Sequence, residues 1–162
     1  MRGPGIQGDG VAMEVRSGSC RFGLWFVHVW WSGDMIFQVL FSKSPLHGTV
    51  PPPFIRYCAG KEESFLSQES VATSYPTLYG QIYQEVRKVP YGETNTYGEI
   101  AGKVATSARV VGQAMRRNPT PLVIPCHRIV GKNAIGGFTP SPEIKEALVL
   151  MEKKTMQRKK PG

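Results

Sequence analysis

The chain has 162 residues, of which 41% are hydrophobic, so it can form one medium domain or two small ones around a packed core. Residues 1–75 carry six basic and six acidic side chains, whereas residues 76–162 carry fourteen and six, so the net charge of +8 lies in the second part. Such a basic half indicates a polyanionic partner or a solvated basic surface, and charge alone leaves both open. No apolar run is long enough to span a bilayer and the first residues lack a signal peptide, so we expect a cytoplasmic protein.

The three cysteines, Cys20, Cys58 and Cys126, are odd in number and show no Cys-x-x-Cys spacing. A disulfide framework is therefore not expected, and a reducing compartment suits a reactive thiol. His28 lies within a predicted strand and has no Cys or His partner at metal-ligand spacing, so it is expected to be satisfied or exposed. We predict neither a metal nor an organic cofactor.

The N-terminal part is predicted to be a small antiparallel sheet with a helix. Residues 1–12, which are rich in glycine, are expected to be mobile. Two β-rich runs, residues 22–31 and 35–41, are joined by Ser-Gly-Asp and therefore predict a hairpin. Residues 46–53, with three consecutive prolines, are expected to be a connector, and a short helix is expected near residues 62–66.

A linker near Pro76 is predicted to separate two domains, residues 1–73 and residues 74–162. The second domain is predicted to be mostly helical, with helices at residues 78–89, 97–104, 107–117 and 141–154. Ser107 is the expected N-cap of the third segment in this domain. The turn before it is so short that the two helices it joins favour a helix-turn-helix, and ordinary packing of amphipathic helices is the alternative.

Residues 118–130 contain the most specific chemistry. An apolar run at residues 122–124 is closed by Pro125, which predicts a strand that ends in a fixed turn. Cys126 follows at once, with an imidazole and a guanidinium directly after it. A neighbouring positive charge or base can convert a thiol to the nucleophilic thiolate, whereas a buried cysteine beside incidental polar residues is the alternative for an isolated Cys-His pair.

At these residues the chain resembles the O6-alkylguanine-DNA alkyltransferases, also called methylated-DNA–protein-cysteine methyltransferases. The family signature is Pro-Cys-His-Arg followed by an aliphatic residue and Val, and residues 125–130 read Pro-Cys-His-Arg-Ile-Val. Further motifs match at residues 89–93, 96–101 and 108–116, whereas residues 1–70 contain no comparably specific motif. The resemblance implies an α/β protein with a ribonuclease-H-like N-terminal sheet domain and a mostly helical C-terminal domain that carries the active-site cysteine.

The reaction implied by the resemblance is direct-reversal DNA repair. The alkyl group of O6-methylguanine, and of O4-methylthymine, would move from duplex DNA to Cys126 after the nucleotide is flipped out of the helix. The thioether product does not reverse, so each molecule would act once, as a monomer that approaches DNA from the minor groove. The reaction needs no metal or organic cofactor, and the zinc-binding set of the family's first domain is not recognisable in this sequence.

The resemblance also implies roles for individual residues. Cys126 is the nucleophile, His127 the general base, and Glu152 the carboxylate that orients the imidazole. Tyr97 helps to protonate the leaving guanine, and Asn118 braces the turn before the active-site loop.

The remaining implied residues contact DNA or line the pocket. Arg109 would fill the gap that the flipped nucleotide leaves. The full DNA-binding set is Tyr97, Ser107, Ala108, Arg109 and Arg116, and the pocket set is Met115, Ile129, Phe138 and Thr139. Arg128 is expected to tie the two domains together. Phe138 and Pro140 depart from the better-studied pattern, which leaves the range of accepted alkyl groups open.

Three other functions are considered. A lesion sensor of the alkyltransferase-like type lacks the acceptor cysteine, so Cys126 argues against it. A helix-turn-helix regulator leaves the Pro-Cys-His-Arg motif and Glu152 unexplained. A cysteine hydrolase would need an oxyanion pocket and would not need a basic half.

Overall fold

The computed structural model describes residues 7–8, 11–12 and 14–160. Its strands are β1 (Gln7–Gly8), β2 (Val11–Ala12), β3 (Arg16–Phe22), β4 (Trp25–Ser32), β5 (Met35–Ser42), β6 (Glu69–Ser70), β7 (Asn95–Thr96) and β8 (Ile129–Val130). Its helices are α1 (Pro52–Cys58), α2 (Leu78–Val86), α3 (Tyr97–Lys103), α4 (Ala108–Arg116) and α5 (Pro142–Lys159). Most of residues 1–12 lie outside the described part, so their expected mobility stays a prediction.

The main sheet has the strand order β3-β4-β5-β6. The hairpin between β4 and β5 is confirmed, and β6 adds to β5 in parallel, which the sequence does not predict. The run predicted as one strand at residues 22–31 is divided, because Gly23 has a φ of +58° and turns the chain between β3 and β4. Val27 and Val29 point to the core, as the period of two along a strand requires.

The helix of the N-terminal part lies earlier than predicted. Residues 62–66 contain no helix, and α1 instead begins at Pro52 within the expected connector. Proline is accepted in the first helical turn, because an N–H there has no partner within the helix. Phe54 and Tyr57 anchor α1, and both have no exposed surface.

The helices of the C-terminal part follow the sequence closely, with shorter ends. The chain turns after Val86, so α2 stops three residues before its predicted end. The predicted cap of α4 is confirmed, since Ser107 Oγ accepts from the Val110 N–H at 3.2 Å. Thr96 and Glu99 form a capping box at the start of α3.

The long helix α5 connects the two parts of the molecule. It extends to Lys159, five residues beyond its predicted end, and packs Ile144 and Leu148 into the same hydrophobic cluster as Val27 of the sheet. A second cluster gathers α2, α3 and α4. The predicted domain boundary after residue 73 stays a prediction, and residues beyond it contribute to the first cluster. Across the described ranges, no helix is both long enough and apolar enough to cross a membrane.

Candidate active site

The candidate site is built around a buried turn, where the sequence predicts a strand. Leu122 has a φ of +78°, and Pro121 and Ile124 form an isolated bridge across the turn. A short apolar run is compatible with a buried strand or a buried turn, and flanking prolines favour the turn. The predicted strand at residues 122–124 is therefore wrong, although every residue from 121 to 129 is buried.

Asn118 holds this turn through its side chain. Its Nδ2 donates to the Ile124 carbonyl at 2.9 Å, and its Oδ1 accepts from the Thr120 backbone N–H at 2.9 Å. Such side-chain bonds supply partners that an extended strand would take from a neighbouring strand. The chain then enters a 3₁₀ turn, Cys126–Arg128, which places Cys126 at its first position.

Cys126 is 7% exposed and lines a cleft of about 520 Å³. The cleft is also lined by eight other residues predicted for the site, namely Tyr97, Ala108, Arg109, Met115, Arg116, Asn118, Phe138 and Thr139. Ser107 instead caps α4, and the side chain of Ile129 has no exposed surface. The structure therefore gathers most of the predicted residues around the thiol.

The environment of Cys126 opposes ionisation of the free thiol. Burial raises the pKa of Cys126, while a hydrogen bond from Asn118 and the charge of Lys145 act in the opposite direction. At neutral pH the thiol therefore keeps its proton in the absence of substrate. A neighbouring base must remove that proton before the sulfur can act as a nucleophile.

His127 has the properties of such a base. It has no exposed surface, and its Nε2 lies 2.5 Å from Glu152 Oε2. Burial lowers the pKa of His127, although Glu152 acts in the opposite direction, so the imidazole is neutral at pH 7. A carboxylate can only accept, so Nε2 carries the proton. Nδ1 has no hydrogen-bond partner among the described residues and keeps a free lone pair.

Glu152 is held in its ionised form by its neighbours. Arg128 forms a bidentate pair with it, Nε to Oε1 at 2.9 Å and Nη2 to Oε2 at 3.1 Å. The Gly92 N–H donates to Oε1 at 2.9 Å. Burial by itself would raise the pKa of Glu152, but the hydrogen bonds from His127 and Arg128 and the positive charge of Arg128 outweigh it and lower this pKa.

Arg128 does not itself join the two parts of the chain. Within residues 14–160, its hydrogen bonds go to Glu152 and to the Val89 carbonyl, both beyond the predicted boundary. Tyr57 of α1 makes the connection instead. Its hydroxyl donates to Glu152 Oε2 and lies 3.2 Å from His127 Nε2. Burial raises the pKa of Tyr57 well above its usual value, so the hydroxyl remains a donor.

Lys145 is a buried cation on the other side of the cysteine turn. Its side chain is 1% exposed, and Nζ donates to the Ile129 carbonyl at 2.6 Å and to Tyr97 Oη at 3.1 Å. Burial lowers the pKa of Lys145 to about 8, while the charge of Cys126 opposes that shift. The ammonium group is therefore protonated at neutral pH and close to losing its proton.

Tyr97 is positioned by the glycine-rich loop. A Cβ atom at Gly136 would overlap Tyr97 Oη and lie 3.0 Å from Lys145 Nζ, and Gly136 has a φ of +88°. Glycine is therefore required here for the close approach of the phenol and for the backbone conformation. Burial raises the pKa of Tyr97, so its hydroxyl remains protonated and can donate.

The predicted DNA-contacting residues lie at the surface. Ser107, Ala108 and Arg109 are exposed where α4 begins, and Arg116 is exposed where it ends. Both arginines line the cleft, so positive charge flanks the entrance to Cys126. A polyanion bound across this surface would meet the cleft directly.

The prediction that His28 is a satisfied or exposed strand residue is confirmed, because its Nε2 lies 2.6 Å from the Ser44 carbonyl. Among residues 14–160, no group of three or more His, Cys, Asp or Glu side chains is placed to hold a metal ion.

Comparison with known proteins identifies the family. The model of the DNA-binding domain of 6-O-methylguanine DNA methyltransferase matches residues 77–154. A methylated-DNA–protein-cysteine methyltransferase from Archaeoglobus fulgidus is 35% identical over 129 residues, which cover 76% of this chain and 85% of that protein. The chain belongs to the methylated-DNA–protein-cysteine methyltransferase family.

Two further comparisons agree with this assignment. A family member from Methanocaldococcus vulcanius is 49% identical over 72 residues, 44% of this chain, so the match spans about half of that relative, 45% of its length. A crystal structure of Mycobacterium tuberculosis OGT in complex with DNA has 25% identity and a TM-score of 0.70, covering 85% of this chain and 92% of that one. The predicted α/β fold, with an N-terminal sheet and a helical C-terminal part, is confirmed.

Sequence reasoning missed two residues of the candidate site. Tyr57 lies 70 residues before His127, in a part of the chain without a specific motif, so no local signal indicates its role. Lys145 was detectable in principle. It precedes Leu148 by three residues and Glu152 by seven, a spacing that places it on the buried face of α5.

Proposed function

We propose that this protein repairs DNA by direct reversal, moving the alkyl group from O6 of guanine to Cys126. The sulfur attacks the alkyl carbon, a C–S bond forms, the C–O bond breaks, and the guanine takes up a proton. The observation that carries the proposal is the buried thiol lining a cleft beside a neutral imidazole, which is itself paired with an ionised carboxylate. Membership of the methyltransferase family supports the same reaction.

In the first step His127 accepts the thiol proton at Nδ1 through a water molecule. The imidazolium that forms lies against the Glu152 carboxylate at 2.5 Å, which stabilises it in a site without bulk solvent. Because Arg128 keeps Glu152 ionised, the carboxylate already carries its negative charge before the proton reaches His127. The stabilised imidazolium therefore offsets the free-energy cost of ionising the Cys126 thiol, whose pKa is raised by burial.

In the second step Tyr97 donates a proton to the departing guanine. Lys145 lies 3.1 Å from Tyr97 Oη, and its positive charge favours loss of the phenolic proton. Lys145 therefore acts through Tyr97 as a positioning and electrostatic residue. The side chains of Met115 and Phe138 are the apolar walls of the base pocket. The cleft volume of about 520 Å³ lies within the usual range of small-molecule sites, about 300–1,000 Å³.

DNA binds at the basic surface around α4 in this proposal. The helices α3 and α4, joined by a four-residue turn at residues 104–107, act as a helix-turn-helix that meets the minor groove. Arg109 replaces the flipped nucleotide in the base stack, because it is exposed and borders the cleft. The protein acts as a cytoplasmic monomer, once per molecule, and its substrates include O4-methylthymine.

The test is a conversion assay on a duplex with one O6-methylguanine, digested to nucleosides after incubation. We expect conversion to guanine in proportion to the protein added, and none with Cys126→Ser. Tight binding of the modified duplex by the wild type without conversion would overturn the proposal and indicate a lesion sensor.

A further inference from the structure

Two cysteines outside the active site lie close together. Cys20 in β3 and Cys58 at the end of α1 are 38 residues apart in the chain, and their Sγ atoms are 3.9 Å apart. Both side chains are half-buried, so small reagents can reach them, whereas Cys126 is buried. The two sulfur atoms are near van der Waals contact, although the sequence shows no spacing that would pair them.

A metal site does not explain this pair. A structural zinc requires four ligands and a catalytic zinc at least three, and no group of three or more His, Cys, Asp or Glu side chains is suitably placed in residues 14–160. Both cysteines border the first hydrophobic cluster, but packing alone does not require two thiols to face each other. Their contact lowers the pKa of Cys20 and raises that of Cys58, so Cys20 is the better nucleophile of the two.

We propose that Cys20 and Cys58 are a modification site, at which exchange with a small disulfide such as oxidised glutathione forms a reversible intramolecular disulfide. The Cys20 thiolate attacks one glutathione sulfur, releases a glutathione thiol and forms a mixed disulfide. Cys58 then attacks the Cys20 sulfur and releases the second glutathione thiol, with its own proton passing to solvent. Two protein thiols are oxidised and one glutathione disulfide is reduced, so electrons balance.

The position of this bond gives it a structural consequence. It joins β3 to the end of α1, directly after Tyr57, whose hydroxyl contacts the Glu152 carboxylate. It also closes a loop of 38 residues, which restricts the unfolded chain. The oxidised protein should therefore melt about 5–15 °C higher than the reduced protein.

The test uses the full-length reduced protein incubated with oxidised glutathione, then denatured and blocked with iodoacetamide so that every remaining thiol reacts, and measured as an intact mass and as peptides. We expect loss of two hydrogen atoms, one blocked thiol at Cys126, and a peptide that links Cys20 to Cys58. The melting temperature should rise, and it should return to its starting value after reduction.

Three variants give the controls. Cys126→Ser should form the same link, because the acceptor thiol takes no part. Cys20→Ser and Cys58→Ser should each retain a glutathione adduct or a free thiol, without the loss of two hydrogen atoms. Three blockable thiols in the oxidised wild type, a link that includes Cys126, or a link found only between two chains would each overturn the proposal. These readouts do not involve alkyl transfer, so they are independent of the proposed function.

Discussion

The Glu152 carboxylate joins the buried polar groups of the site. It accepts from Tyr57, His127, Arg128 and the Gly92 backbone, and it is 1% exposed. These donors come from three separate parts of the chain, namely α1, the turn at Gly92, and the adjacent pair His127 and Arg128. A buried carboxylate with this many donors stays ionised, and removal of its cation leaves an uncompensated charge in a medium that solvates it poorly.

We expect Arg128→Met to reduce the free energy of unfolding by about 3–5 kcal/mol, because it removes the cation of a buried ion pair and leaves the Glu152 carboxylate unpaired. Urea denaturation measures this loss. The matched control is Arg56→Met, whose pair with Glu63 is half-exposed, and it should cost less than about 1 kcal/mol. Equal losses in the two variants would contradict the role assigned to the buried pair.

We expect Tyr57→Phe to leave the protein folded and to change the pH dependence of alkyl transfer. The variant removes a hydrogen bond to the Glu152 carboxylate, so more negative charge remains for His127 and the pKa of the imidazole rises. A bond to a charged group contributes about 1.5–3 kcal/mol, and stability should fall by that order. As the pH is lowered, the transfer rate of the variant should begin to fall at a higher pH than that of the wild type, because His127 becomes protonated earlier. A control variant, Tyr75→Phe, alters an exposed tyrosine and should change neither quantity.

Acidification should destabilise the protein through His127. Burial lowers its pKa in the folded state below the ordinary value of about 6.5, so the unfolded state binds the proton first. Stability from this group is complete above that value and is lost as pH falls through the folded-state pKa, by at most about 1.4 kcal/mol for each pH unit.

Unfolding free energies of the wild type and of His127→Asn, measured between pH 7.5 and 5.5, check this effect. The wild type should lose more stability than the variant over this interval. Parallel curves would show that His127 does not remain neutral in the folded protein.

Among the secondary-structure elements, α4 follows the residue that caps it and carries exposed basic side chains beside the cleft. Ser107 closes its first turn, and Arg109 projects from that turn into solvent beside the cleft. Since Arg109 is exposed, its truncation should leave the fold intact and affect only function.

We expect Arg109→Ala to reduce the rate of repair on duplex DNA by about tenfold or more, because an unfilled gap in the stack favours return of the nucleotide. Its unfolding free energy should change by less than about 0.5 kcal/mol. The control Arg117→Ala removes the same charge from the end of the same helix, outside the cleft lining. Similar repair rates in the two variants would show that Arg109 contributes only charge.

The elements also show where sequence reasoning is reliable. Capped amphipathic helices were predicted well, because Ser107 and the apolar spacing of α4 carry local signals. The turn at residues 122–124 was wrongly predicted as a strand, because the hydrogen bonds that hold it come from the side chain of Asn118. The start of α1 was obscured by prolines that a first helical turn tolerates.

For the candidate site, the motif around Cys126 located the thiol and the imidazole, and the family resemblance in the last helix indicated Glu152, which contacts His127 in the structure. Tyr57 could not be found in this way, since its role depends on a tertiary contact 95 residues along the chain with Glu152.

At the scale of the whole molecule, the two hydrophobic clusters meet at Phe138. This side chain borders both clusters and packs edge-on against Phe41 of the sheet, with ring centroids 5.6 Å apart. It also lines the cleft, so the N-terminal sheet supports one wall of the pocket. The basic surface and the cleft lie in the C-terminal part. The sheet stabilises the cleft through the contact of Phe41 with Phe138, and α1 does so through the contact of Tyr57 with Glu152.

Peptide mass spectrometry after incubation with an excess of duplex carrying one O6-methylguanine shows directly whether Cys126 accepts the alkyl group. We expect a gain of one methylene's mass on the peptide that contains Cys126, which saturates at one per protein molecule and does not reverse. The peptides that contain Cys20 and Cys58 should remain unmodified. An unmodified Cys126 peptide, or methylation that appears first at another residue, would contradict the assignment of Cys126 as the acceptor.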